Sequence, residues 1–262
     1  MITIIISSRC QGNPNHDLKG LLFSLQTHTA IFKNVEILVK YDEDDQEFDK
    51  VISDINKEYF SFYIRFVKGP RGKGYTDIHK GYNLLLPFID KNCTVVVAMA
   101  DDFTVEPNWD KELLSQAEGD YFIIHQRPHP KEGVAHLSDG VKYPNFYLGD
   151  DVFGKGDNLY VVDEAPAWSK KLLDDVVSFP ISFTDMWTLC LEKILWEHYN
   201  INITKFTGSL IINRRTCDID EPSNNRWSTD RKENFEYIKS SEFKAIIMQQ
   251  ALAVYANQEA LV

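Results

Sequence analysis

Four short runs, Ile2 to Ser7, Val35 to Val39, Phe62 to Val67 and Thr94 to Ala100, punctuate the first hundred residues and read as strands, the first and the last of them buried. Between them apolar positions recur at helical spacing, over about Asp17 to Thr27, Gln46 to Glu58 and Thr76 to Ile89; the second of these carries Phe48, Val51, Ile52 and Ile55. Strand and helix alternating in this way predict βαβ crossovers and a mainly parallel sheet flanked by helices. Ligands of such sheets lie at the carboxyl ends of the strands. Here those ends carry Ser7-Ser8-Arg9, the acidic turn Asp42 to Asp45, the basic loop Gly69 to Gly74 with Arg71 and Lys73, and the pair Asp101-Asp102.

Beyond Asp110 the alternation weakens and the pattern predicts an α+β second half. Tyr121 to Gln126 reads as a strand, and the Pro-, Gly-, His- and Tyr-rich residues 127–157 as long loops over the site. Val161 to Trp168 precedes a short helix, Ser169 to Val176. A longer helix from Asp185 carries Trp187, Leu189, Cys190, Leu191, Ile194, Leu195 and Trp196, so it is expected to be well buried. Ser209 to Asn213 is the last predicted strand, followed by a polar stretch from Arg214 to Arg231. Phe243 to Tyr255 has apolar positions at helical spacing, suited to packing on its own domain; a membrane surface or a second copy of the chain is the alternative.

A chain of 262 residues with 44% hydrophobic content can bury a large core, and with no linker or repeat it is expected to form one domain. Its expected parts are a nucleotide-binding half (1–110), an acceptor-side half (111–215) and a tail (216–262). A net charge of −11 argues against a surface built for nucleic acid. Cys10, Cys93, Cys190 and Cys217 are too dispersed for a zinc site or a disulfide framework and read as free thiols in a reducing compartment. No run approaches the roughly 18 apolar residues of a membrane span, so a cytoplasmic or membrane-peripheral location is expected.

Chemistry concentrates where the fourth run stops at Asp101-Asp102. Paired carboxylates at a strand end are hard oxygen ligands suited to Mg²⁺ or Mn²⁺ beside a phosphate-bearing ligand. They read equally as solvated turn residues, or as the N-cap of a short helix at Val105 to Ser115. Asp42 and its neighbours likewise read as a base-binding acid or as an acidic loop. The Gly69 to Gly74 loop has the spacing of neither a P-loop nor a dinucleotide fingerprint, which leaves a basic turn able to touch phosphate. His125, His129 and His136 lack helical ligand spacing and read as loop or acceptor-pocket groups. Trp168, beside Pro166, is the aromatic best placed to stack on a sugar.

Over roughly residues 2 to 200 this order of parts resembles the GT-A fold of nucleotide-sugar-dependent glycosyltransferases, especially the inverting family 2. The resemblance implies that Ser8 or Arg9 and Asp42 hold the nucleobase, with UDP or dTDP favoured. It places the 69–74 loop beside the nucleotide, and Ala100-Asp101-Asp102 looks like the family's DxD motif. Asp101 would then face the ribose or the cation, and Asp102 would bind Mn²⁺ or Mg²⁺. The family's catalytic base is an acid opening a helix in the second half, which Thr184-Asp185 matches, with Thr where Glu is usual. No histidine follows Tyr199, so the His ligand of some GT-A enzymes has no counterpart in the tail. The resemblance thus implies transfer of one sugar to a glycan or other hydroxyl acceptor, with inversion. A sugar nucleotidyltransferase is the first alternative, although Ser7 to Asn13 is a poor version of its Gly-rich loop; a silent glycan-binding domain is the second.

Overall fold

The computed structural model describes residues 1–13, 16–72, 77–126, 165–182, 184–207, 210–213 and 236–259. Strands β1 (Ile2–Ser8), β2 (Val35–Asp42), β3 (Tyr63–Gly69) and β4 (Val95–Met99) pair in parallel. Helices α1 (Leu18–His28), α2 (Phe48–Ile55) and α3 (Ile78–Leu85) make the crossovers that parallel pairing requires. The sheet continues with β6 (Ile123–Gln126), β7 (Ala167–Ser169) and β8 (Thr204–Thr207) to give the order β3-β2-β1-β4-β7-β6-β8, with β7 antiparallel to its neighbours. A two-stranded ribbon joins β5 (Phe103–Val105) to β9 (Ile211–Asn213).

Two apolar layers sandwich the sheet, because successive residues of a strand face opposite sides. Ile2, Ile4, Ile6, Val95, Val97 and Met99 meet α1, α2 and α4 (Trp109–Gln116) on one side. Ile5, Val96 and Ala98 meet α3, α5 (Lys170–Val176), α6 (Thr184–Tyr199) and α7 (Ser241–Glu259) on the other. The close approach of α3 to the sheet requires glycine at one point. A Cβ on Gly81 would lie 2.3 Å from Ser7 Oγ and 2.9 Å from Ser7 Cβ.

Several expectations need correction. Trp168 sits in β7 rather than in a pocket: it is fully buried, donates its indole N–H to Thr188 Oγ1 at 3.0 Å and packs on Phe179 and Trp187, so no face is left for a sugar. Trp196, by contrast, is 56% exposed in the last turns of α6, beside the exposed Glu197 and His198. Asp101 and Asp102 do not cap the next helix. A strand intervenes, and the N-cap of α4 is Asn108, with φ of 62°. The strands β5, β7 and β8 are too short to stand out in the sequence. Helix α7 packs on its own domain through Phe243, Ile247, Ala251 and Val254, and Gln250 accepts the indole N–H of Trp187 at 2.8 Å. Among the described residues no helix is long and apolar enough to cross a membrane.

Candidate active site at the β1 and β4 strand ends

Strand order turns around between β1 and β4, because β2 and β3 extend the sheet on one side of β1 and β4 on the other. At such a switch point the two loops diverge and leave a crevice. The loop after β4 is a tight turn, closed by Phe103 N–H donating to Ala100 O at 3.3 Å, with Asp101 and Asp102 at its centre. Both carboxylates are buried, 5% and 4% exposed. Ser8, the last residue of β1, donates its hydroxyl to Asp101 Oδ2 at 2.6 Å, so the two strand ends are joined by a side-chain bond across the switch point. A hydrogen bond from a hydroxyl to a carboxylate is charge-assisted and fixes the acid's rotamer.

The acidic turn after β2 is an organising element, not a solvated loop. Asp45 accepts the backbone N–H of Cys10 at 2.6 Å and of Gln11 at 3.2 Å, clamping the loop that leaves β1. Arg9 Nη1 donates to Asp42 Oδ2 at 2.7 Å and to Asp44 Oδ1 at 2.8 Å. Arg71 Nη1 reaches Asp44 Oδ2 at 3.0 Å, so Arg71 lies on the Asp42–Asp45 side of the rim. The hydrogen bond from Arg9 is the chief reason the Asp44 carboxyl lies below its ordinary range, and Asp44 in turn raises the Arg9 guanidinium. Beneath them the buried Lys40 side chain bonds the other oxygen of Asp42.

Three groups the sequence reading passed over stand at or beside this rim. Lys40 is one, and its signal was present: it is the lone cation inside the apolar β2, two residues before Asp42 and therefore on the same face. His16 is the second, 3.9 Å from Asp101 Oδ2. The third is His79 in the first turn of α3, whose Nδ1 lies 2.9 Å from Ser182 Oγ. Four residues on, Asn83 exchanges two bonds with Phe179, donating to its carbonyl at 2.9 Å and accepting its N–H at 2.8 Å. Because α3 follows the carboxyl end of β3, these contacts hold the 179–182 segment against α3, and Ser182 O then accepts Thr184 N–H at 3.1 Å as α6 opens. Asp185 occupies the second position of that helix.

His79 makes this contact sensitive to pH. Burial disfavours its cation and lowers its pKa from the ordinary 6.5, with Lys80 adding to the effect and Asp77 opposing it. The unfolded chain then takes up the proton first as pH falls, so stability is level above 6.5 and declines from 6.5 down toward the lowered folded value. Urea midpoints between pH 5 and 8 are expected to show a shallower decline below pH 6.5 in His79→Gln than in the wild type; identical slopes would refute the assignment.

Of the other expected site residues, Lys73 and the loops 127–157 lie outside the described residues, as do His129, His136 and Cys217. His125 is not a loop group: it is 1% exposed in β6, and its Nε2 meets Glu192 of α6 at 2.9 Å. Glu192 also accepts the hydroxyl of Thr204 at 2.7 Å, which makes this a buried tie between β6, α6 and β8. Among the described residues no group of three or more His, Cys, Asp or Glu side chains is gathered as a metal cage. Two carboxylates at one strand end are still a sufficient protein contribution for Mg²⁺ or Mn²⁺, which take the rest of their shell from substrate phosphates and water. The donor set at Asp101-Asp102 therefore fits such an ion.

No protein-family model matches the chain, and no curated protein matches it by sequence. Solved structures do match its fold. The mannosyltransferase PcManGT from Pyrobaculum calidifontis, in complex with GDP-Man and Mn²⁺, superposes with a TM-score of 0.60 at 13% identity, over 99% of this chain and 71% of that one. S. aureus TarS 1-349 in complex with UDP gives a TM-score of 0.55 at 12% identity, over 96% of this chain and 70% of that one. Against the longer TarS structure the chain spans 43% of the length, with a TM-score of 0.53. The chain has the GT-A fold, an α/β architecture with a mostly parallel seven-stranded sheet.

Proposed function

We propose that this chain is a glycosyltransferase that moves a sugar from a nucleotide-sugar donor to a hydroxyl acceptor, with a divalent cation and with inversion at the anomeric carbon. The observation that carries the reading is the joined pair of strand ends, where Ser8 holds Asp101 beside Asp102 at the switch point of the sheet. The solved neighbours in complex with GDP-Man and Mn²⁺ and with UDP support it by likeness of fold.

In this reading Asp101 and Asp102 would hold Mn²⁺ or Mg²⁺, which when bound screens the charge of the departing diphosphate. Arg9 and Asp42 line the nucleobase end of the crevice, where Asp42 accepts a ring N–H of uracil or thymine, favouring UDP or dTDP donors. Arg71 adds positive charge to the same rim, and Lys73, outside the described residues, is proposed for the same role. Asp185 is the general base. As the acceptor oxygen bonds to the anomeric carbon, its proton passes to Asp185, and the bond from that carbon to the diphosphate breaks with its electron pair leaving on the nucleoside diphosphate. The α3 contacts of the 179–182 segment matter here, because they fix where the helix bearing Asp185 begins.

A thermal-shift series with UDP, GDP, dTDP and CTP, each with and without Mn²⁺, tests the reading. At a hundredfold excess over Kd a ligand adds about 2.7 kcal/mol, which for a chain of this size raises Tm by roughly 5–10 °C. One diphosphate is expected to give that rise with Mn²⁺ and a much smaller one without it. A response confined to CTP would favour a nucleotidyltransferase, and no response to any nucleotide would reject both.

A further inference from the structure

Helix α7 is apolar over more of its circumference than its own domain covers. Phe243, Ile247, Gln250, Ala251 and Val254 are buried against α5 and α6, yet Met248 and Leu252 on the opposite side are 37% and 52% exposed, with Ala245 and Ala256 exposed beside them. From Ala245 to Gln258 the helix carries no charge, in a chain where 26% of residues are charged. A helix at a protein surface sets polar and charged residues opposite its buried stripe, whereas one that is apolar all round belongs in an interior. The outer face of α7 is therefore built to be covered. The spacing of its positions says by what: Ala245, Met248, Leu252 and the half-buried Tyr255 follow one another at steps of three, four and three, the seam along which one helix packs on another.

We propose that this seam is the contact of a twofold dimer, in which α7 of one copy lies antiparallel to α7 of a second. With the axis level with position 250, Met248 of each copy meets Leu252 of the other, and Ala245 meets Tyr255, so that a small side chain receives a large one. The Tyr255 ring is already held for this by stacking on Tyr199, at 4.7 Å between centroids. Charge selects a second copy over other occupants. Two chains of net charge −11 repel wherever charged faces meet, and a twofold contact sets each patch against itself, so an uncharged stripe is where two copies can approach. A membrane surface is disfavoured, because helices that lie on one carry Lys and Arg on their polar face, whereas Lys244 is the one cation of α7, and Glu242 and Glu259 flank the stripe. The proposal does not depend on the transferase reading.

Sedimentation velocity on the full chain tests it. A contact of a few helical turns lies at the small end of specific interfaces, so the wild type is expected to be mostly monomer at about 1 µM and mostly dimer at about 100 µM. Raising NaCl from about 50 to about 500 mM should tighten the dimer by screening the repulsion between the two acidic chains; a contact made of ion pairs would loosen instead. The double variant Met248→Glu, Leu252→Glu is expected to weaken association at least about a hundredfold. Both positions are exposed, so its Tm should not move. A second double variant, Met248→Glu, Leu252→Lys, sets opposite charges face to face only when the helices run antiparallel, and should associate at least about tenfold more tightly than the first. If the two variants associate equally weakly, the antiparallel register is wrong. A wild type that stays monomeric at about 100 µM overturns the proposal, as does a dimer that the first variant leaves intact. Wild-type monomer that instead co-sediments with neutral phosphatidylcholine vesicles overturns it in favour of a lipid surface.

Discussion

Asp102→Ala is expected to abolish the Mn²⁺-dependent part of the nucleotide-induced rise in Tm and to lower sugar transfer by about 10³-fold, the equivalent of several kcal/mol of leaving-group stabilisation. The side chain is 4% exposed in a tight turn, so truncation alone could disturb the backbone there. Asp102→Asn separates the two causes. It keeps shape and volume while removing the charge, and it should show the same loss of the Mn²⁺ response with an unchanged Tm in the absence of ligand. Asp102→Asn that binds nucleotide and Mn²⁺ as the wild type does would remove the cation from this turn, and with it the metal-dependent form of the proposed reaction.

The parallel half of the fold was legible because its central strands β1 and β4 are apolar on both faces. Ile2 to Ser8 and Val95 to Met99 are covered by helices above and below, so they read as continuous runs with clear ends. The ends themselves carry the polar clusters, and Ser8, Asp42 and Asp101-Asp102 were named for that reason. The second half was harder. β5 and β7 have three residues each and β8 four, too few for any period to emerge, and each is specified by a distant partner. Trp168 illustrates the consequence. Beside Pro166 and a loop-rich segment it looks exposed, yet its pairing with Val96 of β4 places it in the middle of the sheet. His16 and His79 were illegible for a related reason: what distinguishes them is a contact with Asp101 or Ser182, and neither contact has a signature in local sequence.

Lys40 and Asp42 permit a sharper test of how structure and function are divided at the rim. Lys40 is a buried cation, its side chain 5% exposed, threaded so closely past the main chain that a Cβ on Gly69 would lie 3.2 Å from its Cε and one on Gly81 3.4 Å from its Cδ. Asp42 takes Lys40 on one oxygen and Arg9 on the other. Asp42→Ala would leave an ammonium buried without its counter-charge, and breaking such a pair from one side costs about 3–5 kcal/mol, a large share of the roughly 5–15 kcal/mol that holds a domain together. Replacing both members is far milder, because the desolvation penalty goes with the charge. Urea denaturation is therefore expected to find Asp42→Ala strongly destabilised and the double variant Lys40→Met, Asp42→Ala within about 2 kcal/mol of wild type. If the double variant is no more stable than the single, Lys40 is not held by this pair. The rescued double variant then isolates function: folded but lacking the carboxylate, it should lose the preference among UDP, dTDP and GDP. Should it keep the wild-type preference, Asp42 serves to neutralise Lys40 and position Arg9, and the nucleobase is read by other groups.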